Sequence, residues 1–509
     1  MTMQTLLMSR NERQQFELLK QLIPKKDGMT AQEIMDSLNL SLHTVYRYEK
    51  QLAEGLSHVF EDQLVSLFKE NGYYKIFIDN SLSVSYVIDK MGLYYIQISQ
   101  QFSLSDALFY RSYASVEALA QEVNLSLSHT YKILKRMNKS FEPFNISIAF
   151  PDKSNRTNIV GDEKNVRITM FYIYWTIYKG IEWPFYHAPN SFSELEPPIK
   201  TAQLSPSQKT RLIYYQTFTY WQIIYRKEYI SISKEFLNYL EIFEEVSPVS
   251  FPAQIKESLH KNQVSESVIH AEESYFGFLV RFYIANIDSF EDKVLITTKL
   301  IASKLPLTIF ATNLLNDFLK RYSVVLTEEN YVLNYYQIIF NLLYIQFFGT
   351  HVPFSQTLDE KFPCLETYTD LFDTDKDELT QFVYENLSSK LFPSISKSST
   401  LVEYLAKLFY LVLNSSVNQQ PLKVLIQYSK TIYGYDLIKN NLSHTFGENV
   451  LEFTLDILEA DIVISDSFEL ISDETRNPPS VFYFEYPYDT TSWQDLIVFI
   501  SKRLYSKFL

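Results

Sequence analysis

The pattern of apolar and polar positions predicts two short helices joined by a tight turn between Thr30 and Leu52. Ile34 and Leu38 have the spacing of one helical face, which favours a first helix. The Asn-Leu-Ser tripeptide at 39–41 supplies the turn, with Ser41 as the N-cap of a second helix. This order of elements is that of a helix-turn-helix.

The same pattern returns 85 positions later, between Ser115 and Met137, and aligns with the first copy without a gap. Leu119 and Val123 give its first helix, and Ser126 is the expected N-cap of its second. The identical positions are Asn39/Asn124, Leu40/Leu125, Ser41/Ser126, Leu42/Leu127, Tyr46/Tyr131 and Lys50/Lys135. Such an internal duplication indicates two copies of one structural unit.

The second helix of each copy is expected to expose donors that suit a DNA groove. In the first copy the predicted inward stripe is Leu42, Val45, Tyr48 and Leu52. The outward candidates there are His43, Thr44, Tyr46, Arg47 and Lys50. In the second copy the predicted inward stripe is Leu127, Thr130, Ile133, Leu134 and Met137. The outward candidates there are Ser128, His129, Tyr131, Lys132, Lys135 and Arg136, and no acid follows them until Glu142.

A β-hairpin is predicted after each copy. Leu64–Lys69 and Tyr73–Ile78 are β-rich runs around Asn71-Gly72, a strong signal for a tight hairpin turn. Asn145–Phe150 and Thr157–Val160 flank the polar segment PDKSNR in the same way. Each copy is therefore predicted to be a winged helix-turn-helix. The wing cations suited to phosphate contacts are Lys69, Lys75, Lys153 and Arg156.

The remainder of the chain is predicted to be mostly helical, with a small terminal α/β domain. A leading helix is expected over Asn11–Ile23, and helix-forming sequence over Ser81–Arg111 is expected to space the winged units rigidly. Beyond Glu163 the pattern predicts these helices: Val166–Ile181, Ser207–Lys227, Ser233–Glu245, Glu272–Ile287, Phe290–Lys304, Leu307–Tyr322, Glu328–Phe348, Lys376–Leu391 and Ser399–Leu413. After Asn414–Pro421, strands alternate with helices, which indicates a mostly parallel sheet.

The distribution of charge restricts the class of partner. Residues 1–163 carry 17 Lys and Arg against 19 Asp and Glu, a net charge of −2, whereas the remainder carries 29 against 41, a net charge of −12. DNA binding would therefore depend on local basic faces and be sensitive to salt. The single cysteine, Cys364, excludes an internal disulfide framework and a multi-cysteine metal site, and favours a reducing cytoplasm. We expect no metal, no cofactor and no membrane span.

The order of these parts resembles the Mga/AtxA family of virulence and global transcription regulators of Gram-positive bacteria, over essentially the whole chain. The most specific piece is Asn158–Phe185, where a Gly-acidic-x-x-x-[VI]-R step leads into a helix and the segment closes on Trp-Pro-Phe. The run EESYFGFL at 272–279 is similar to a segment that leads into a target histidine in many such regulatory domains. Here Val280 and Arg281 follow it instead.

The resemblance implies a DNA-binding transcription regulator, often an activator, with two helical domains of the type regulated by the sugar phosphotransferase system (PRD-like). These could be phosphorylated on histidine by phosphocarrier proteins, and the terminal domain, similar to an EIIB component, could mediate a homodimer. The candidate phosphorylation sites are His187, His260, His270 and His351. The loop after the first strand of the EIIB-like domain, around Ser429 and Thr431, has no cysteine nucleophile.

The sequence thus predicts a multidomain, mainly α protein that is not an enzyme, since no GxSxG, HExxH, Walker or GxGxxG pattern is present. Two alternatives are an RNA-binding antiterminator controlled by phosphotransfer and a protein-interaction scaffold. The expected domains are two winged helix-turn-helix units at 1–80 and 81–163, PRD-like domains at 164–288 and 289–416, and the EIIB-like domain at 417–509.

Overall fold

The structure is a computed structural model, and it describes residues 7–150, 157–185, 204–249, 251–284, 287–348, 376–387, 392, 399–415, 421–431, 433–447, 450–467, 479–484 and 486–508. The chain forms two compact units. The first comprises the described residues within 1–312, 335–368 and 387–401, and the second those within 313–334, 369–386 and 402–509.

The first winged unit is built on a three-stranded sheet. Its elements are α1 (Arg10–Leu22), β1 (Met29–Thr30), α2 (Ala31–Leu38), α3 (Leu42–Val59), β2 (Val65–Glu70) and β3 (Tyr73–Ile78). β3 pairs with both other strands in antiparallel fashion, and β2 and β3 meet at the predicted hairpin turn. Asn71 and Gly72 have φ of +50° and +89°, which a tight turn of this type requires. Only β1 was not predicted.

The second winged unit repeats this order with a shorter wing. Its elements are α6 (Val116–Glu122), α7 (Leu127–Phe141), a 3₁₀ turn (Glu142–Phe144), β4 (Ile146–Ile148) and β5 (Ile159–Gly161). β4 and β5 form an antiparallel pair in which Ile146 lies opposite Gly161. A Cβ on Gly161 would lie 2.8 Å from the Ile146 side chain, so this pairing needs a glycine.

Two helices lie between the winged units: α4 (Val84–Gln97) and α5 (Gln100–Tyr110). The helical content of Ser81–Arg111 was predicted, but its role differs from that of a spacer. α4 packs its buried face, which includes Val87 and Met91, against α1 and α3. Gly92 allows this approach, because a Cβ there would lie 3.2 Å from the Phe16 ring. Helix α4 therefore belongs to the core of the first winged unit.

Helices dominate the middle of the chain, as predicted. They are α8 (Glu163–Tyr178), α9 (Pro206–Trp221), a π-helical turn (Gln222–Arg226), α10 (Lys234–Val246), α11 (Ala253–Lys261), α12 (Glu266–Tyr283), α13 (Phe290–Ser303), α14 (Pro306–Arg321), α15 (Glu328–Phe348), α16 (Lys376–Leu387) and α17 (Ser399–Asn414). The sequence pattern missed α11, and α12 begins six residues before the predicted Glu272. Among the described residues, no single helix is long and apolar enough to cross a membrane; α13 and α14 reach the criteria only as a bent pair.

The second unit contains a four-stranded parallel sheet. Its strands are β6 (Leu422–Gln427), β7 (Leu451–Thr454), β8 (Ile462–Ser465) and β9 (Ser480–Tyr483), accompanied by α18 (Gly434–Phe446) and α19 (Thr490–Phe508). The strand order is β7-β6-β8-β9, and all three pairings are parallel. Val424, Ile464 and Leu496 are fully buried in its core. The predicted fold class, mainly α with a small terminal α/β domain, is confirmed.

Candidate nucleic-acid interface

The two helix-turn-helix copies share the same local geometry. Asn39 and Asn124 both take a left-handed conformation, with φ of +51° and +55°, after the first helix of each pair. Asparagine tolerates this conformation better than most residues because its short side chain bonds locally. The N–H of Leu40 and that of Leu125 then each donate to the carbonyl five residues earlier, at 3.0 and 2.9 Å. The duplication seen in the sequence is therefore also a duplication of backbone turns.

We call the second helix of each copy, α3 or α7, its recognition helix. Each recognition helix begins at the predicted serine cap. The Ser41 hydroxyl accepts from the N–H of Thr44, and the Ser126 hydroxyl accepts from the N–H of His129. The Thr44 hydroxyl also forms a hydrogen bond with the Ser41 hydroxyl at 2.8 Å. Thr44, a predicted DNA contact, is therefore half-buried and its hydroxyl already has a partner in the helix cap. A capped, fixed N-terminus matters because residues in the first turns of a recognition helix reach the base edges.

The outward face of α3 carries most of the predicted donors. His43, Tyr46, Arg47 and Lys50 are exposed, whereas Val45, Tyr48 and Leu52 are buried as predicted. The Arg47 guanidinium lies 5.1 Å from the centre of the Tyr48 ring, and Lys50 lies 3.8 Å from Glu54, a long and well-solvated ion pair. Neither contact removes the cation from solvent.

The outward face of α7 is the more basic one. Ser128, His129, Tyr131, Lys132, Lys135 and Arg136 are all exposed. Within the part of the chain that the structure describes, no carboxylate pairs with the last three of these within 4 Å, whereas several other lysines and arginines are paired. Burial and the nearby charge of Arg136 lower the pKa of Arg13 on α1. An anionic partner on this face would relieve that repulsion.

The first wing brings a further cation to the recognition helix. The Lys69 ammonium lies 5.8 Å from the centre of the Tyr46 ring and donates to the Tyr74 hydroxyl at 3.4 Å. Lys75, by contrast, pairs with Glu70 at 2.8 Å, which makes it a weaker candidate for phosphate. Lys153 and Arg156 of the second wing lie outside the described residues.

Two inward positions were predicted wrongly. Leu42 and Leu127, the first residues of α3 and α7, are 43% and 41% exposed. Helical periodicity placed them on the buried stripe, but each occupies the first position of its helix and remains exposed. The sequence signal that could have indicated their exposure is that the same leucine occurs at this position in both copies.

His129 is held by a residue outside its own helix-turn-helix. Its Nε2 lies 2.9 Å from Oε1 of Gln100 at the start of α5. Its ring is therefore positioned by α5, which makes it a less mobile candidate for a base contact than His43.

The helical region is attached to the second wing by a buried ionic cluster. The Arg167 guanidinium donates to both Glu272 oxygens, at 2.6 and 3.0 Å, and to Glu163 at 2.9 Å. Arg226 lies 3.8 Å from Glu163 and donates to the carbonyl of Ile159 in β5 at 3.1 Å. The two sequence segments that carry the family resemblance thus meet here, because Arg167 ends the first motif and Glu272 begins the second.

The pKa values of Arg167 and Glu163 in this cluster are each shifted by the charges of the other members. Burial would lower the pKa of Arg167, but the charges of Glu272 and Glu163 outweigh it and raise that pKa. Burial raises the pKa of Glu163, against the opposing charges of Arg167 and Arg226. Loss of any one partner would leave a charge in a nearly water-free site.

Helices α4 and α5 also bond the helical region directly. Lys90 and Gln97 donate to the carboxylate of Glu182 at 2.6 and 2.8 Å, and the buried Tyr174 hydroxyl donates to Asp106 at 2.7 Å. The Trp-Pro-Phe motif completes this contact: Tyr110 donates to the Pro184 carbonyl at 2.7 Å, and Phe185 is 1% exposed.

The described candidate histidines are partly exposed and beside acids. His260 lies 3.4 Å from Glu266, and His270 lies 3.7 Å from Glu244. They stand on different helices, α11 and α12. His187 and His351 lie outside the described residues.

The loop after β6, around Ser429, is held by hydrogen bonds to the carboxylate of Asp466. Asp466 accepts from the N–H groups of Ser429 and Lys430 at 2.8 and 2.9 Å and from the Ser429 hydroxyl at 3.1 Å. Burial raises the pKa of Asp466, but these donors outweigh it and lower the pKa overall. Among the described residues, no group of three or more His, Cys, Asp or Glu could hold a metal ion.

Comparison with known proteins agrees with this geometry. Residues 85–174 match the family model of the Mga helix-turn-helix domain. That segment runs from α4 into α8 and so contains the second helix-turn-helix. A protein named "Putative trans-acting regulator", from Streptococcus pneumoniae serotype 4, is 22% identical over 498 residues, which cover 90% of this chain and 92% of that protein. The resemblance to the Mga/AtxA family that was predicted from the sequence is confirmed.

Proposed function

We propose that this chain, a transcriptional regulator of the Mga type, binds promoter duplex DNA through both winged units. The observation that carries the proposal is the pair of capped recognition helices, which expose equivalent cations at Arg47/Lys132 and Lys50/Lys135. Cations on an exposed helix neutralise backbone phosphates, whereas base edges are read from the same helix.

For the domain organisation we propose the bounds predicted from the sequence. We assign 1–80 and 81–163 to the winged units, 164–288 and 289–416 to PRD-like domains, and 417–509 to an EIIB-like domain that joins two chains. A dimer of this kind would present four recognition helices to a long stretch of duplex. Base consensus would be weak and DNA curvature would contribute to selectivity. The family supports a cytoplasmic location.

Activation and control by the phosphotransferase system form the finer part of the proposal. Arg226 connects the buried cluster to β5, and Glu182 connects the helical region to α4. A negative charge added at His260 would lie close to the Glu266 carboxylate, and one added at His270 would lie close to Glu244, because each acid is within 4 Å of its histidine. Repulsion there would shift α11 and α12 and, through Glu272, the cluster that holds the second wing.

Binding of the purified chain to promoter-length duplex and to folded RNA, across a salt series, tests the proposal. We expect duplex binding that weakens steeply with salt, and weaker binding to RNA. Preference for RNA would favour the antiterminator, and no salt-dependent affinity for either nucleic acid would favour the protein-interaction scaffold.

The regulatory part has its own test. His270→Asp mimics part of the charge of a phosphohistidine, and His270→Asn keeps the size without the charge. We expect the aspartate variant alone to change DNA affinity and transcription from a reporter promoter. Equal behaviour of the two variants would contradict control at His270.

A further inference from the structure

Each recognition helix exposes the same pair of large side chains in its first two turns. Leu42 and Tyr46 on α3 are 43% and 47% exposed, and Leu127 and Tyr131 on α7 are 41% and 51% exposed. Residues four apart on a helix lie on the same face, so each leucine stands beside its tyrosine. The structure therefore has two copies of one apolar pair, both facing away from the protein core.

The cores of the winged units do not need these pairs. In α3 the buried positions are Val45, Tyr48 and Leu52, and in α7 they include Ile133 and Met137. The exposed pairs are equivalent residues of two units that differ at most other positions of these helices. A shared external partner is the simplest physical reason for keeping them.

The charges around the pairs identify that partner. Arg47 and Lys50 follow the first pair within one turn, and Lys132, Lys135 and Arg136 follow the second. An apolar protein surface would have to desolvate these cations, whereas a nucleic-acid duplex pairs them with phosphates. Among the bases, thymine alone presents a methyl group in the major groove, where a recognition helix lies.

We propose that the Leu42–Tyr46 and Leu127–Tyr131 pairs contact thymine 5-methyl groups in the major groove, so that each winged unit selects thymine-containing steps. This inference rests on the proposed DNA-binding function and adds a specificity element to it. Arg47/Lys132 and Lys50/Lys135 pair with phosphates of the DNA backbone, and the apolar pairs discriminate between base steps. Each chain would then read two thymine-containing steps.

Duplexes that differ only in the methyl group provide the test. The full chain is titrated against alternating A·T duplex of about six helical turns and against the same duplex with uracil in place of thymine. Burial of one methyl group is worth about fourfold in affinity, so two helices that each contact one methyl group should bind the thymine duplex about fifteenfold more tightly. Alternating G·C duplex with and without 5-methylcytosine should show the same preference for the methyl group.

Variants assign the preference to the apolar pairs. Leu42→Ala combined with Leu127→Ala should lower affinity for the thymine duplex and leave the uracil duplex nearly unaffected. Leu295→Ala, on α13, removes a leucine that is 53% exposed far along the chain and should preserve the discrimination. Arg47→Ala with Lys132→Ala should weaken binding to both duplexes equally.

The outcomes separate the inference from the function beneath it. Equal affinity of the unmodified chain for thymine and uracil duplexes, with salt-dependent binding intact, would overturn the methyl contact and leave DNA binding standing. Discrimination that survives loss of both leucines would overturn the assignment to these residues. Absence of salt-dependent binding to any duplex would remove the proposed function and this inference together.

Discussion

The buried pair of Arg167 and Glu272 allows a quantitative prediction about the helical region. Glu272→Ala removes the carboxylate that accepts two of the four hydrogen bonds from the guanidinium. It also removes the acceptor of the Ile230 N–H, which donates to Glu272 at 2.9 Å. The guanidinium itself, with a side chain only 2% exposed, would keep Glu163 and the Glu228 carbonyl as partners.

The expected cost follows from which groups lose their partners. Breaking a buried ion pair from one side costs about 3–5 kcal/mol, because the remaining charge stays buried without compensation. Here the lower end applies, about 3 kcal/mol, since Glu163 still pairs with Arg167. Replacing both members by methionine removes the stranded guanidinium, and Glu163 keeps Arg226 3.8 Å away, so the Arg167→Met, Glu272→Met double variant should be less destabilised than Glu272→Ala.

A neighbouring residue supplies a matched control. Glu273 pairs with Lys256 at 2.7 Å, but these side chains are 26% and 44% exposed. An exposed pair of this kind contributes less than about 1 kcal/mol, so Glu273→Ala should have a small effect. The two variants remove the same side chain from adjacent positions and differ in burial.

Tryptophan fluorescence during urea unfolding is the assay. Trp175 lies on α8, Trp221 lies on α9 and Trp183 follows α8, so all three report on the helical region. Trp493→Phe in every variant removes the signal of the terminal domain. The free energy of unfolding from this transition should fall by about 3 kcal/mol for Glu272→Ala and by less than about 1 kcal/mol for Glu273→Ala. Equal losses would refute the reasoning that burial makes the Arg167 pair decisive.

Three further predictions concern other parts of the chain. Asn124→Val should destabilise the second winged unit by about 1–2 kcal/mol in thermal unfolding, because φ there is positive, whereas Asn124→Gly should be tolerated. Tyr174→Phe removes the hydroxyl that donates to Asp106 and should cost about 1.5 kcal/mol; amide exchange in α5 should speed up with it, and unchanged exchange would argue against that contact. Asp466→Asn should destabilise the terminal domain at neutral pH by about 1 kcal/mol, after allowance for solvent screening. Because the folded pKa of Asp466 is lowered, this difference should be present above the unfolded value of 3.8 and disappear as pH falls through the folded pKa, which urea unfolding of the Trp493 signal at several pH values would show.

Local signals in the sequence predicted local structure well. Ser41 and Ser126 cap the recognition helices, and Asn71-Gly72 forms the first hairpin, because each of these features depends on a few neighbouring residues. The parallel sheet of the terminal domain followed in the same way from alternating strands and helices. These features needed no information about distant parts of the chain.

The missed features depend on the chain's surroundings or on unusual local geometry. Helix α11, which the sequence pattern missed, begins after Pro252, and Pro252 occupies the N-cap position, where a missing N–H costs little. Gln263 has a φ of +56° between α11 and α12, a conformation that glycine or asparagine normally signals. Arg167 and Glu272 are 105 residues apart, and helical periodicity cannot pair residues at such a distance.

The exposure of Leu42 and Leu127 was missed for a related reason. Helical periodicity assigns a residue to a face, but it does not say whether another element covers that face along the whole helix. Both leucines lie at the first position of their helix and are more than 40% exposed. The side chains that the periodicity assigned wrongly are the ones on which the thymine contact depends.

The most direct test of the account is the salt dependence of duplex binding when the basic face of α7 is removed. Lys132→Ala, Lys135→Ala and Arg136→Ala are combined and compared with a charge-matched control, Lys234→Ala, Lys261→Ala and Lys304→Ala, which removes three exposed lysines of the helical region. The slope of log affinity against log salt should become shallower by about one for each phosphate that the α7 variant no longer neutralises, and the control should keep the original slope. An unchanged slope and affinity in the α7 variant would contradict the claim that this helix meets DNA.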